Sequence, residues 1–230
     1  INPPSDGPNP ILPLGLAYIA AACEKAGMVV KVIDAWVENY SYSRIGELSK
    51  EFNPDIVGIS IMSPVYAIGM RTVEAIRECI DAPIVLGGPH PSAEPEQCLE
   101  DNPNVDYVVI GEGDFTFVKL INAVVSRTQE FCDIEGIAYR EGGKIIKKPE
   151  PDIEDLDVLP LPARHLFPVY KYKTHPPYGK SRHYLTMISS RGCPYRCTYC
   201  SSSVFGKKFR YASARYVVDE IKHLIATYGT

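Results

Sequence analysis

The chain has 230 residues, of which 45% are hydrophobic and 23% charged, and its formal net charge is −4. These values are ordinary for a globular protein, and the negative charge argues against a nucleic-acid-binding protein, which would need a basic surface. No apolar run reaches the roughly 20 residues that a membrane span requires. We find no signal-peptide pattern, and the seven cysteines are too irregularly spaced for a disulfide scaffold, so we expect a cytoplasmic chain.

The first 130 residues alternate apolar helix patterns with short β-branched strands. The predicted helices cover residues 14–26, 43–52, 70–80, 94–101 and 114–125. The predicted strands are one that ends at Ile1, and then residues 29–33, 55–61, 83–87 and 105–110. This alternation is typical of a parallel sheet covered on both faces. We therefore predict an α/β domain over residues 1–130, a flavodoxin-like (Rossmann-like) doubly wound parallel sheet with ligands beyond the carboxyl ends of the strands.

A change of period and a run of prolines follow this domain. Residues 133–148 alternate around Gly142 and Gly143, which predicts a β-hairpin. Seven of the 20 prolines fall within residues 149–177 and indicate a linker. We therefore group residues 131–180 as hairpin and Pro-rich linker.

Residues 181–230 contain the pattern of a single βα unit. A strand is predicted at residues 184–189, a long loop at 190–211 and an amphipathic helix at 213–228. One βα unit cannot bury its own faces, so we expect further units after Thr230.

Three cysteines in the predicted long loop lie within eight residues of one another: Cys193, Cys197 and Cys200. Clustered thiolates select iron–sulfur clusters, copper or zinc. A structural zinc site wants four ligands, and a fully ligated [4Fe–4S] cluster wants four cysteines, so three leave one metal position open for chemistry. The alternatives are three buried cysteines, or a zinc knuckle completed by His183 or His223.

The segment Cys193-Pro194-Tyr195-Arg196-Cys197-Thr198-Tyr199-Cys200 resembles the motif of the radical S-adenosylmethionine superfamily, with Tyr199 as the aromatic residue before the last cysteine. The resemblance implies that the three cysteines hold a [4Fe–4S] cluster. It also implies that the open iron takes S-adenosylmethionine, and that a reductant such as flavodoxin or ferredoxin supplies the electron. The family fold would make residues 181–230 the start of a truncated (β/α) barrel.

The upstream segments resemble the cobalamin-binding domain that many of these enzymes carry. They are Asn2-Pro3-Pro4, residues 12–18, Val32-Ile33-Asp34-Ala35, residues 54–60, Gly87-Gly88-Pro89-His90, Gly111-Glu112-Gly113-Asp114 and residues 159–164. The resemblance is to the branch that includes the anaerobic magnesium-protoporphyrin IX monomethyl ester cyclase and many methyltransferases. It implies cofactor contacts by Asn2, Pro3, Pro4, Leu14, Ser60, Met62, Ser63, Gly87, Gly88, His90, Gly111, Glu112, Gly113 and Tyr199.

Physical arguments beside this resemblance are consistent with it. Gly87 and Gly88 end a strand without side chains, so a large flat ring can approach the backbone, and Ser60 and Ser63 can hydrogen-bond a nucleotide tail. Each has an ordinary alternative, namely a turn for the glycines, a cap for Ser60 and a loop-bonded histidine for His90. We interpret the basic patch of Lys207, Lys208, Arg210 and Arg215 as a solvated rim; the alternative is that it faces an anionic substrate or cofactor.

One departure concerns the lower axial ligand of cobalt. Many cobalamin domains carry Asp-x-His-x-x-Gly after the first strand, whereas residues 2–15 contain no histidine. We therefore expect any bound cobalamin to lack a histidine ligand from that loop.

The resemblance implies a cobalamin-dependent radical enzyme that reductively cleaves S-adenosylmethionine to methylate, or oxidatively transform, an unactivated carbon of a small-molecule substrate. The 230 residues alone should be inactive, because the glycine-rich motif that contacts the S-adenosylmethionine amino group is absent. Two alternatives remain: a radical enzyme whose first domain is a scaffold without cobalamin, and a non-enzymatic cobalamin or metal sensor whose cysteines bind zinc.

Overall fold

The structure, a computed structural model, describes residues 1–7, 10–126, 131–149, 153–172 and 185–229. The α-helices are α1 (Leu14–Lys25), α2 (Ala35–Glu38), α3 (Tyr42–Phe52), α4 (Tyr66–Arg77), α5 (Pro89–Ala93), α6 (Pro95–Asp101), α7 (Gly113–Ser126) and α8 (Ala214–Tyr228). The strands are β1 (Val57–Ser60), β2 (Ile84–Gly87), β3 (Tyr107–Val109), β4 (Ile137–Glu141), β5 (Lys144–Lys147), β6 (Ser190–Arg191) and β7 (Arg210–Tyr211). Short 3-10 turns occur at Ser63–Val65, Phe131–Asp133, Leu156–Val158, Arg164–Leu166 and Val169–Lys171. Within the described ranges no helix is long and apolar enough to span a bilayer.

The central sheet has the strand order β1-β2-β3-β4-β5. Strands β1, β2 and β3 run parallel, as predicted. The N-terminal residues extend the sheet beyond β1, because Ser60 N–H donates to the Ile1 carbonyl at 3.1 Å and Asn2 forms a parallel bridge with Asp34. The first segment of the chain thus lies between the second and third, which is the doubly wound, flavodoxin-like order.

The predicted strand at residues 29–33 is wrong. These residues carry no strand assignment, and their pairing with the N-terminus is limited to the bridge at Asp34. A strand exists only through ladder hydrogen bonds to a neighbour, and in the described ranges the bond of this kind is that from Asn2 N–H to the Ile33 carbonyl at 2.9 Å. β-Propensity alone therefore did not identify a strand here.

The sheet separates two apolar clusters because successive side chains of a strand point to opposite faces. Ile84 and Leu86 of β2 pack with residues of α3, α4 and α6. Val85, between them, packs with Val109 of β3 and Leu120 of α7. The predicted coverage of both faces by helices is confirmed.

The predicted hairpin is present as β4 and β5, which pair antiparallel. It also continues the sheet, since β4 pairs antiparallel with β3. The hairpin therefore lies on the edge of the first domain's sheet, although the sequence pattern grouped it with the linker.

The described part of the Pro-rich linker, residues 153–172, wraps over α1. Ala163 N–H donates to the Ala17 carbonyl at 2.9 Å. Phe167, Val169 and Tyr172 pack in one buried cluster with Leu12 and Leu14 at the start of α1. The linker is thus anchored to the first domain by apolar burial.

The predicted strand at residues 184–189 is also wrong: residues 185–189 form no strand, and residue 184 lies outside the described residues. The ladder begins one residue later, where β6 pairs antiparallel with β7. Ala212 N–H donates to the Ser189 carbonyl at 2.9 Å, but this contact lies at the end of the segment, and an apolar run without a ladder of such bonds stays irregular. The predicted helix is present as α8, capped by Ser213, whose hydroxyl accepts from Tyr216 N–H.

Candidate functional site

A cleft of about 700 Å³ extends along the sheet, from residues 52–56, which precede β1, to Ser60, Gly87 and Gly88 at the carboxyl ends of β1 and β2. Its walls include Leu16 and Ile19 of α1 and Phe117 and Ile121 of α7, and its floor is the sheet face that carries Val85. Ligand pockets commonly measure roughly 300–1,000 Å³ and are mostly apolar. The cleft therefore has the size and lining of a site for a sizeable organic ligand.

Glycines keep the sheet side of the cleft free of side chains. A Cβ at Gly58 would lie 2.9 Å from the Phe117 ring, so only glycine lets this ring lie against the strand. A Cβ at Gly88 would lie 2.9 Å from the Ser60 Oγ, and Gly88 has φ = 94°, a conformation that favours glycine. At Gly87 a Cβ would make only ordinary van der Waals contacts, the nearest at 3.8 Å to the Val109 carbonyl oxygen, so a methyl group fits there. A flat ligand can therefore approach the backbone at this edge.

Six of the predicted cofactor contacts line this cleft: Ser60, Gly87, Gly88, Gly111, Glu112 and Gly113. The carboxyl ends of β1, β2 and β3 bring them together, as expected for a doubly wound sheet. Leu14 instead packs in the buried cluster under the linker. Met62 is half exposed beside the 3-10 turn that starts at Ser63.

His90 and Ser63 join the loops that follow β1 and β2. The His90 Nδ1 lies 3.1 Å from the Ser63 Oγ, and the His90 ring centroid lies 4.2 Å from that of Tyr66. The His90 N–H also donates to the Ile61 carbonyl at 3.1 Å. These contacts with Ser63, Tyr66 and Ile61 fix the position of His90 beside the cleft.

The Asn2-Pro3-Pro4 loop is held by a buried carboxylate. Asn2 Nδ2 donates to Asp34 Oδ1 at 2.8 Å, and the Tyr172 hydroxyl donates to Asp34 Oδ2 at 2.6 Å. Burial, followed by the hydrogen bond to Asp34, raises the pKa of Tyr172 well above its ordinary value. Asn2 therefore positions this loop through Asp34.

A buried ionic cluster follows β3. Arg191 Nη1 lies 2.7 Å from Glu112 Oε2 and 2.7 Å from Asp114 Oδ2, and Arg210 pairs with Glu112 Oε1. The four side chains are each at most 5% exposed. Two arginines and two carboxylates neutralise one another, which is the condition for burying charge.

Arg191 is also enclosed by aromatic rings. Its guanidinium carbon lies 5.0 Å from the Tyr18 ring centroid and 5.3 Å from that of Phe205. Burial lowers the pKa of Arg191, but the hydrogen bonds that Arg191 donates to Asp114 and Glu112 outweigh it and raise the pKa above its ordinary value. Arg191 therefore stays charged in the fold.

Sequence reasoning missed this cluster, and its interpretation of Arg210 as part of a solvated rim is wrong. Arg210 is 4% exposed and additionally donates to the Ile153 carbonyl at 2.6 Å. Both carboxylate oxygens of Glu112 are paired with arginines. Glu112 therefore contributes its backbone and this ionic contact to the wall of the cleft. One signal for this cluster was available in the sequence. Arginines stand at the two ends of the cysteine loop, and two acidic residues separated by one position follow β3.

The cysteine loop, residues 192–209, leaves and re-enters the fold through the β6–β7 ladder. Cys193, Cys197 and Cys200 are exposed free thiols on it, and Tyr199 is 91% exposed. Within the described ranges no three His, Cys, Asp or Glu side chains converge on a point that suits a metal ion. The donor set of three thiols fits a metal cluster, and the loop would close around it, since metal sites often order with their metal.

The zinc alternative finds no fourth ligand in the part of the chain that is described. His223 lies in α8, where its Nδ1 is 3.4 Å from the Thr227 hydroxyl. His183 lies outside the described residues.

Two further cysteines are shielded. Cys23 and Cys98 are buried, and burial raises the pKa of Cys23 to about 12 and that of Cys98 to about 11. A thiol kept protonated is a poor metal ligand. The first domain therefore holds these cysteines as core residues.

Comparison with known proteins gives the following likenesses. Residues 7–121 match the family described as B12 binding domain. The chain is 38% identical over 224 residues to an uncharacterized methyltransferase of Pyrococcus horikoshii, with 94% of this chain and 46% of that protein covered. It is 30% identical to the anaerobic magnesium-protoporphyrin IX monomethyl ester cyclase of Cereibacter sphaeroides, with 94% and 36% covered.

A solved structure has the same fold. The cobalamin-dependent S-adenosylmethionine radical enzyme OxsB, with aqua-cobalamin and S-adenosylmethionine bound, superimposes with a TM-score of 0.81 at 23% identity, covering 95% of this chain and 30% of that one. The chain thus spans less than half the length of each of these relatives.

Proposed function

This chain belongs to the family of B12-binding domains, and we propose that it forms the corrinoid-binding part of a cobalamin-dependent radical S-adenosylmethionine enzyme. The observation that carries the proposal is the group of glycines at and just beyond the carboxyl ends of β2 and β3, which line part of the cleft of about 700 Å³. A corrin ring is broad and flat, so it needs backbone without side chains at this edge. The residues present fit that requirement.

Three groups of residues would hold the corrinoid. Gly87, Gly88 and Gly111 would face the ring, and Ser60 would hydrogen-bond the nucleotide tail inside the cleft. Asn2, Pro3 and Pro4 with Met62, Ser63 and His90 would form the rim. The loop of residues 2–15 has no imidazole to offer cobalt, and His90 is engaged with Ser63 and Tyr66. We therefore propose binding without a histidine ligand.

Cys193, Cys197 and Cys200 would hold a [4Fe–4S] cluster, and Tyr199 would flank S-adenosylmethionine. The support is the donor set: three exposed free thiols on one loop whose base adjoins the cleft. Soft thiolates are the ligands that iron–sulfur clusters use, and three leave one iron for a further ligand. Residues 181–230 would then begin the barrel that completes the site.

When bound, these cofactors would supply a carbon radical and a methyl carrier for reaction at an unactivated carbon of a small molecule. This chain's residues bind and orient them and exclude water from the cleft. A one-electron reductant such as flavodoxin or ferredoxin would serve the cluster. Because such thiols need a reducing compartment, we place the protein in the cytoplasm.

The experiment is an anaerobic titration of the chain with hydroxocobalamin, repeated on two variants of Gly87. A Cβ at Gly87 meets only ordinary van der Waals contacts, so Gly87→Ala should fold and bind. Gly87→Leu should fold and bind at least about 100-fold more weakly, because its side chain fills the place of the ring. Circular dichroism verifies the fold of both. Equal affinity for Gly87→Leu and the unmodified chain would contradict this placement of the corrinoid.

A further inference from the structure

At the base of the cysteine loop, two side chains of like charge lie opposite each other, which is unusual. In the antiparallel ladder of β6 and β7, Arg191 lies directly opposite Arg210. Like charges opposite each other in a ladder destabilise it. This ladder therefore needs a counter-charge to close the loop of residues 192–209.

Glu112 supplies that counter-charge to both strands. Its Oε2 lies 2.7 Å from Arg191 Nη1 and its Oε1 pairs with Arg210, while Asp114 holds Arg191 from a second side. Glu112 comes two residues after Ile110 in the turn between β3 and α7, so it belongs to the edge of the sheet where the strands end. One carboxylate thus ties both ends of the cysteine loop to that edge.

The two segments that Glu112 joins, the sheet edge and the cysteine loop, both line the cleft. Gly111 and Gly113 line it from the sheet edge, and Val204 and Phe205 line it from the cysteine loop. Ser203 on the same loop also donates to the Pro89 carbonyl, at 3.2 Å. A ligand that fills the cleft therefore contacts the loop as well as the sheet, and it favours the state in which Glu112 holds the two together.

We propose that Glu112 is a positioning residue that couples the corrinoid cleft to the cysteine loop, so that filling the cleft strengthens cluster binding at Cys193, Cys197 and Cys200. The inference rests on the proposed function. By thermodynamic linkage the effect is reciprocal, so the loaded cluster strengthens corrinoid binding by the same factor.

The test compares hydroxocobalamin affinities before and after anaerobic loading of the chain with iron and sulfide. We expect the loaded protein to bind hydroxocobalamin roughly 5-fold more tightly or better, within the usual range of coupling. In Glu112→Gln the ratio of the two affinities should fall to about 1, whatever their absolute values, because an uncharged amide leaves the two arginines without their shared anion.

Glu154→Gln is the matched control. Glu154 also pairs with the cysteine loop, through Lys208 at 2.6 Å, but both side chains are more than half exposed. Exposed pairs contribute little, so this variant should keep the ratio of the unmodified protein.

The outcomes separate the inference from the proposed function. A ratio of 1 in the unmodified protein, or an unchanged ratio in Glu112→Gln, overturns the coupling and leaves corrinoid binding standing. No saturable hydroxocobalamin binding overturns both. If Glu112→Gln fails to fold, hydrogen exchange on the unmodified protein decides: hydroxocobalamin should slow amide exchange in residues 192–209, and unchanged exchange there refutes the coupling.

Discussion

The Tyr172 hydroxyl donates a 2.6 Å hydrogen bond to the carboxylate of Asp34, although 138 residues separate the two in sequence. Asp34 is 3% exposed, and its other oxygen accepts from Asn2 Nδ2 and Val37 N–H. This one carboxylate therefore joins the linker, the N-terminal loop at the cleft and the start of α2.

Replacing Tyr172 by phenylalanine should destabilise the protein by about 1–3 kcal/mol, because it leaves a buried carboxylate oxygen without a donor. Urea unfolding of the unmodified protein and the variant measures the difference. Tyr211→Phe is the control, since Tyr211 is 73% exposed and should change the free energy of unfolding by less than about 0.5 kcal/mol. Equal stabilities of Tyr172→Phe and the control would show that this hydrogen bond does not anchor the linker.

Thiol reactivity should divide the cysteines by burial. In the metal-free protein at pH 8, iodoacetamide should alkylate Cys193, Cys197 and Cys200 quickly, because they are exposed. Cys23 and Cys98 should react slowly, since burial raises their pKa to about 12 and about 11 and keeps them as thiols. Peptide mapping by mass spectrometry after short exposure distinguishes the two groups. Early alkylation of Cys23 would contradict the buried packing of α1.

Stability should fall at alkaline pH, in part through Cys23. In the native state its pKa is about 12, whereas in the unfolded chain it ionises near the ordinary value of 9.0. Between these values the unfolded chain has lost the proton that the native state keeps, so stability drops as pH rises, by on the order of 4 kcal/mol once pH 12 is reached. Below pH 9 this contribution is constant.

The variant Cys23→Ala removes this titration. Its stability relative to the unmodified protein should therefore improve steadily as the pH is raised above 9, whatever constant cost the lost thiol imposes. Urea unfolding at several pH values measures the difference. A difference that does not depend on pH would show that Cys23 is not buried as a neutral thiol.

The sequence predicted those parts of the fold that local patterns determine. The helices α1, α3, α4, α7 and α8 and the strands β1 to β3 have apolar periodicity and flanking breakers that require no partner to recognise. The strands expected at residues 29–33 and 184–189 failed, because a strand also needs a neighbour and hydrophobic pattern does not show whether one is adjacent.

The residues of the candidate site fall into the same two groups, those that the sequence predicted and those that it did not. Gly87 and Gly88 were recognisable because their lack of side chains is visible in the sequence itself. The burial of Arg210 was not, since it depends on Glu112, which lies in a distant segment and is brought near by the sheet. From sequence alone, a charged side chain is expected to be solvated. Its burial can be recognised only when its ionic partner has been located.

Gly192 should be essential to the shape of the cysteine loop. It has φ = 80°, and a Cβ there would overlap the Lys208 carbonyl oxygen. Gly192→Ala should therefore distort the loop and at least halve the iron bound per chain after anaerobic reconstitution. The measurement is iron and labile sulfide content.

Gly206→Ala separates steric conflict from backbone strain. Gly206 has a similar φ of 64° but no atom within 4 Å of a Cβ, so its alanine variant pays only the conformational cost of about 1–2 kcal/mol. It should retain iron close to the unmodified level. Equal iron content in the two variants would refute the role assigned to the Gly192 contact.

The most direct measurement is an anaerobic hydroxocobalamin titration of the unmodified chain, followed by reduction and electron paramagnetic resonance of the cobalt(II) form. A coordinated nitrogen splits the cobalt lines into triplets. We predict saturable 1:1 binding without this splitting, because the cleft offers cobalt no imidazole and the nucleotide tail, bound at Ser60, holds the cofactor's own benzimidazole away from the metal. Absence of saturable binding would contradict the assignment of the cleft, and triplets that disappear in a His90 variant would contradict binding without a histidine ligand.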